Sequence, residues 1–189
     1  IAKNIAQSGT ALHAGGIVNM TLSPAAPGAG VVFRRSDLGG KQIPALYNRV
    51  GETRLGTVIA EDGVSIGVIE HLMAAVAGAQ IDDLIVTLDG PEPPILDGDA
   101  LSFLGLLDQA GIREQDGKRK IIKIKKTIAV EKGGASAKLM PADNRVFDFE
   151  ISFPTPAICT QTRNWKFSPD GFARDIAPGA KVEIGTLKI

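Results

Sequence analysis

Residues 68–111 read VIEHLMAAVAGAQIDDLIVTLDGPEPPILDGDALSFLGLLDQAG, and the changes of period along them decide the fold. At the start, Val68, Leu72, Ala75 and Val76 fall on one helical face, and Gly78 stands where a left-handed cap would end a helix. DLIVTLDG, from Asp83, then reads as a strand. GPEPPILDG, from Gly90, is too rich in proline for a helix or a central strand and is a stiff connection. Asp99 can cap a second helix over Ala100 to Ala110, with Leu101, Phe103, Leu104 and Leu107 turned toward a core and Gly111 at its end.

Upstream of this stretch, residues 1–66 are short apolar runs broken by glycine, proline and asparagine: IVNMTLSPAAPGAG from Ile17, GVVFRRSD from Gly30, QIPALYNRVG from Gln42. These are strand and turn signals. Strands followed by helices, without strict alternation, predict an α+β domain: a two-layer sandwich with helices on one face of a sheet. Downstream, REQDGKRK at 113–120 is a charged link, after which strand alternation restarts in IIKIKKTIAV and a second domain begins. KGG at 132–134 suits a turn. FDFEISF places Phe147, Phe149, Ile151 and Phe153 on one face of a half-buried strand. The expected domains are 1–115 and 120–178, the second all strand and loop.

Hydrophobic residues make up 44% of the 189 and charged residues 22%, which predicts a packed core. Lysine plus arginine and aspartate plus glutamate stand at 21 each, so no overall field draws the chain to nucleic acid or an anionic surface. The single Cys159 excludes an intrachain disulfide and is read as buried or half-buried. No apolar run approaches the roughly 18 residues that span a bilayer, and no signal peptide is visible, so a cytoplasmic location is expected. The start at Ile1, with no initiator methionine, is read as a processed, engineered or partial sequence.

The two histidines are His13 and His71. His71 follows Glu70 in the first turn of the predicted helix, where the helix dipole favours an ionised carboxylate fit for a general base and an adjacent neutral imidazole can bind a metal. The same residues admit a plainer account, in which Glu70, three after Gly67, closes a capping arrangement and His71 packs against the strands. A catalytic zinc needs about three protein ligands, and no HExxH-like spacing supplies them. His13, in TALHAGG, reads as a turn histidine, and Glu92, Asp97 and Asp99 as turn and cap residues. The cluster Lys118, Arg119, Lys120, Lys123, Lys125 and Lys126 lacks interleaved aromatics and reads as a solvated strand face that protects an edge, rather than as an RNA site. No GxGxxG or P-loop is present.

Five motifs in order carry more than any of these alone: GTALHAGG at Gly9, GVVFRRSDL at Gly30, NRVGETRLGT at Asn48, VIEHLMAAVAG at Val68 and GPEPPILDGDA at Gly90. Together they resemble the motif series of the zinc-dependent UDP-3-O-acyl-N-acetylglucosamine deacetylases of lipid A biosynthesis, usually called LpxC. The similarity continues through QTRNWKFSPDGF to RDIAP at Arg174. The resemblance implies two similar α+β sandwiches (a ribosomal protein S5 domain 2-like duplication) with zinc between them. It also implies Glu70 as general base, His71 as a zinc ligand, Leu55 in contact with substrate and His13 beside the site. The implied substrate is a small molecule, a UDP-sugar bearing an acyl chain. The implied protein is monomeric, with no nucleic-acid partner and no membrane span.

After Pro178 the chain departs from the family pattern: GAKVEIGTLKI stands where an ARTFGF-like segment is expected, and Thr186 does not match the family's threonine in context. No histidine follows His71, so the remaining zinc ligands and a later general-acid histidine are missing. The expectation is therefore a C-terminally truncated, inactive member with an incomplete second domain and a divergent tail at 179–189. A non-catalytic UDP-sugar-binding or RNA-binding module of the same fold is the alternative.

Overall fold

Strand pairing is organised around one buried strand of the first unit. The computed structural model describes residues 1–179, so all of the divergent tail except Gly179 lies outside the described residues. In chain order the elements are β1 (Ile5–Thr10), β2 (Ile17–Pro24), β3 (Val31–Arg35), β4 (Lys41–Pro44), β5 (Ile59–Glu61), β6 (Val64–Ile66), α1 (Glu70–Gly78), β7 (Leu84–Leu88), α2 (Leu101–Ala110), β8 (Ile128–Lys132), β9 (Ala135–Leu139), β10 (Val146–Ser152), β11 (Thr160–Lys166) and α3 (Pro169–Asp175). The backbone separates into two units, 1–118 with 169–179 and 119–168.

In the first unit a five-stranded sheet runs β1-β2-β7-β3-β4, with β3 and β7 parallel and the other pairs antiparallel. Alternate residues point to one face, and Val18, Met20 and Leu22 of β2 and Leu84, Val86 and Leu88 of β7 are buried there with Phe33 and Ile43. The helices form the second layer, α2 against β1 and α1 against α2. This is the α+β arrangement expected. Arg35 is buried among these side chains and engaged through each of its three nitrogens, Nε and Nη2 donating to Asp37 at 2.8 and 2.6 Å and Nη1 to the Ser65 carbonyl at 3.0 Å.

α2 forms as predicted, and the Asp99 carboxylate accepts the Ser102 N–H at 3.1 Å. Phe103, Leu104, Leu106 and Leu107 are buried, each worth about 1.5–3 kcal/mol over exposure. Leu101, expected inward, is 44% exposed because it opens the first turn on the solvent side. Its own N–H and that of Ala100 donate to the Ala177 carbonyl, so a returning segment satisfies two donors that the helix leaves unpaired.

That segment contains a helix the sequence reading lacked. β11 stops at Lys166, and Ser168-Pro169-Asp170 opens α3 with proline at the first helical position. Phe172 of α3 packs on Gly78, where an added Cβ would collide with the Phe172 ring. Gly78 is thus the last helical residue of α1, kept small for this contact, and not the left-handed cap expected of it. Gln80 takes the left-handed conformation instead, at φ 56°.

Residues 119–168 hold two separate hairpins, β8–β9 and β10–β11, and no helix. Gly133 and Gly134, both at positive φ, make the two-residue turn between β8 and β9. On the second hairpin Phe147 stacks on Phe149 at 5.8 Å and on Trp165 across the ladder at 5.7 Å, with Phe167 edge-on to Trp165. The strand expected to be half-buried is largely exposed, since Phe149, Ile151 and Phe153 meet solvent. IIKIKK is not a strand: residues 121–125 have no regular structure and the ladder begins at Ile128. Cys159 is exposed as well, on the bend between β10 and β11. No helix among the described residues is long and apolar enough to cross a membrane.

Candidate functional site

Three loops of the first unit meet at the start of α1. The loop from Gly51 to Val58 is closed at its base by Gly51 N–H to Val58 C=O (2.9 Å) and Val58 N–H to Glu52 C=O (3.0 Å). Inside it, Glu52 Oε1 accepts the N–H groups of Thr53 and Arg54 at 2.9 and 2.8 Å. Leu55 stands at the tip in a left-handed conformation, φ 68°, with 79% of its surface exposed. Such a backbone is unfavourable for a leucine, so the loop is held by contacts on both sides of it.

Those contacts come from two of the residues singled out in the sequence. His13 Nε2 donates to the Leu55 carbonyl at 3.1 Å, which places a hydrogen on that nitrogen. On the other side the Thr57 N–H donates to Glu70 Oε2 at 2.9 Å. The carboxylate passes close to Gly56 as well, where an added Cβ would sit in van der Waals contact with Glu70 Oε1 at 3.4 Å. His13, Leu55 and Glu70 are therefore joined through consecutive residues of one loop.

The third loop, 90–98, fixes the other two. Its Glu92 is only 8% exposed and accepts the His13 backbone N–H through Oε2 at 2.9 Å, while the Pro91 carbonyl accepts the Gly67 N–H at 2.9 Å. Sequence reasoning gave Glu92 a turn role and missed this. The available signal was one acid enclosed by Pro91, Pro93 and Pro94, in a stretch too stiff to turn its side chain to solvent. Asp97 and Asp99 both engage Ser102 and remain turn and cap residues, as expected.

Glu70 is not the closing residue of a capping box. The Gly67 N–H that such a box would use is taken by Pro91, and the Glu70 carboxylate turns toward the 51–58 loop instead. Val68, buried and at φ 53°, sets this direction two residues before the helix. A β-branched residue in that region is strained by about 1–3 kcal/mol, which the surrounding contacts hold in place. Glu70 and His71 are half-buried and, as helix neighbours, point about 100° apart. They do not bond each other; they can flank a third group. Among the described residues no hydrogen bond fixes the His71 ring.

The site thus offers a half-buried carboxylate in a first helical turn, an unengaged imidazole beside it, an exposed aliphatic side chain and a rim imidazole. A carboxylate so placed can accept a proton, and the imidazole can donate a lone pair to a metal. Among the described residues, however, no three His, Cys, Asp or Glu side chains are grouped to hold a metal ion, and a catalytic zinc takes about three protein ligands. The donors present do not by themselves fit a zinc centre. A separate open cleft of about 390 Å³ lies between β1, residues 95–97 and α2, and none of His13, Leu55, Glu70 and His71 lines it.

The profile of the family described as UDP-3-O-acyl N-acetylglycosamine deacetylase matches residues 1–181. The chain is 43% identical over 178 residues to the UDP-3-O-acyl-N-acetylglucosamine deacetylase of Myxococcus xanthus, a match covering 94% of this chain and 57% of that protein. It is 42% identical over 181 residues to the protein of the same name from Histophilus somni, covering 94% and 59%. To the Pseudoalteromonas atlantica protein of that name it is 47% identical over 165 residues, covering 86% and 54%. The chain spans a little over half the length of the curated relatives it matches.

Proposed function

Because the chain belongs to the UDP-3-O-acyl N-acetylglycosamine deacetylase family, we propose that its first unit carries part of the active site of an amide hydrolase. The substrate is UDP-3-O-acyl-N-acetylglucosamine, and the reaction is a cytoplasmic step of lipid A synthesis. Water adds to the acetamide carbonyl, the C–N bond breaks, and the products are acetate and the free amine of the sugar. Glu70 is the general base that takes the proton from the attacking water, and His71 is one donor to a zinc site. Leu55 contacts the substrate and His13 borders it. The observation that carries this reading is the Glu70 carboxylate, turned from any capping role and held at 2.9 Å by Thr57 N–H within the loop that presents Leu55.

Two donors hold zinc far more weakly than three, and the sequence has no histidine besides His13 and His71. On this reading the 189-residue chain is inactive by itself, and residues 120–178 are the start of a second α+β domain. A binder without turnover is the second reading, favoured by the lack of a three-donor group among the described residues. Calorimetric titration with the acylated UDP-sugar, with and without zinc, separates the two. The enzyme-site reading expects zinc to tighten binding in the parent and not in His71→Ala. Ligand heat that ignores both zinc and His71→Ala would establish the binder instead, and absence of any heat would count against both.

A further inference from the structure

The function proposed above leaves the basic stretch unused. Residues 119–126 read RKIIKIKK: five cations and three isoleucines in eight residues, with no acid among them, in a chain whose total charge is zero. A strand face would account for such a pattern, but residues 121–125 belong to no strand and Lys123 and Lys125 guard no ladder edge. The apolar members are not core either. Ile121 is 81% and Ile122 90% exposed, although neighbours in an extended chain point to opposite sides.

We propose that residues 119–126 form a docking site for an anionic phospholipid surface. Lysine and arginine near such a surface are attracted to its headgroups, and adjacent aliphatic side chains gain by entering the headgroup and acyl boundary. Exposed Ile121 and Ile122 flanked by Lys120 and Lys123 supply both parts within one segment. Single-stranded nucleic acid fits less well. It needs aromatic side chains for base stacking, and 119–126 contains none, while isoleucine adds nothing to phosphate binding.

Co-sedimentation of the 189-residue chain with phosphatidylcholine vesicles, with and without phosphatidylglycerol, tests this at low and high salt. Binding is expected only with phosphatidylglycerol and is released by salt. Lys123→Glu with Lys125→Glu weakens it at least roughly tenfold. Ile121→Ser with Ile122→Ser weakens it while leaving its salt dependence unchanged. Lys138→Glu with Lys166→Glu, an equal change of charge at exposed positions elsewhere on the same unit, leaves binding near the parent level. Equal binding to neutral vesicles, an equal loss in the control pair, or full binding by the isoleucine variant would overturn the proposal. So would binding to single-stranded RNA that is tighter than to vesicles and indifferent to the isoleucines. All substituted side chains are exposed, the half-buried Ile124 is left intact, and circular dichroism checks that each variant keeps its fold.

Discussion

Gly78 shows how a single residue can be placed well by sequence reasoning and given the wrong task. Glycine near a helix end ordinarily marks a left-handed cap, yet here it stays helical and clears the Phe172 ring. Alanine would gain about 1 kcal/mol in helix propensity and lose about 1–3 kcal/mol to overpacking, so Gly78→Ala is expected to be net destabilising. In a Phe172→Ala background the added methyl has room and the cost should vanish, a coupling that a double-mutant cycle by urea unfolding measures. Glu92 was legible only by half, since its enclosing prolines stand in the sequence but its partner lies 79 residues away. Asp37 and Asp89 sit where the ionised carboxylate is favoured. Hydrogen bonds from Arg35 hold the Asp37 carboxyl below the usual carboxylate range, and those from the Asn19 side chain and N–H do the same for Asp89. With the folded pKa depressed, the stabilisation is full above the unfolded value of about 3.9 and is lost as pH falls through the folded value. Asp37→Asn should therefore flatten the fall of the urea midpoint below about pH 4, and an unchanged slope would contradict the assignment.

At the scale of elements, β2, β3, β7 and both long helices were legible because each carries its own period and its own stop signals. What local pattern does not contain is pairing. Inserting β7 between β2 and β3 joins segments more than 50 residues apart, and no period within either strand encodes that order. Alternation also misled where burial failed to follow it, in IIKIKK and in FDFEISF, since a period of two states which residues share a face and not whether anything covers that face. The consequence is an uneven stability. β2 and β7 are buried ladder strands, whereas β8 to β11 form two hairpins with mostly exposed side chains, and such pairs are marginal without further packing. Amide hydrogen exchange should be slowest in β2, β7 and α1 and faster in β8 to β11. Within the latter, Trp165→Ala should speed exchange along Val146–Ser152 by removing the centre of the aromatic ladder.

For the whole molecule, the fold class followed from element order, and the ordered motifs pointed to the family that the profile match bears out. The candidate site was legible only in part: residue types marked Glu70 and His71, whereas the loop linking His13, Leu55 and Glu70 emerged from tertiary contacts. The central proposal is that this chain supplies the base and one metal donor of a deacetylase whose remaining donors it lacks. The most direct test replaces the 178 matched residues of the Myxococcus xanthus relative with those of this chain and assays release of acetate from the acylated UDP-sugar. Zinc-dependent turnover is predicted for the chimera, with a loss of at least about 100-fold in its Glu70→Gln variant and none detectable from the 189-residue chain alone. Turnover by the chain alone with stoichiometric zinc, or a Glu70→Gln chimera as active as its parent, would contradict it.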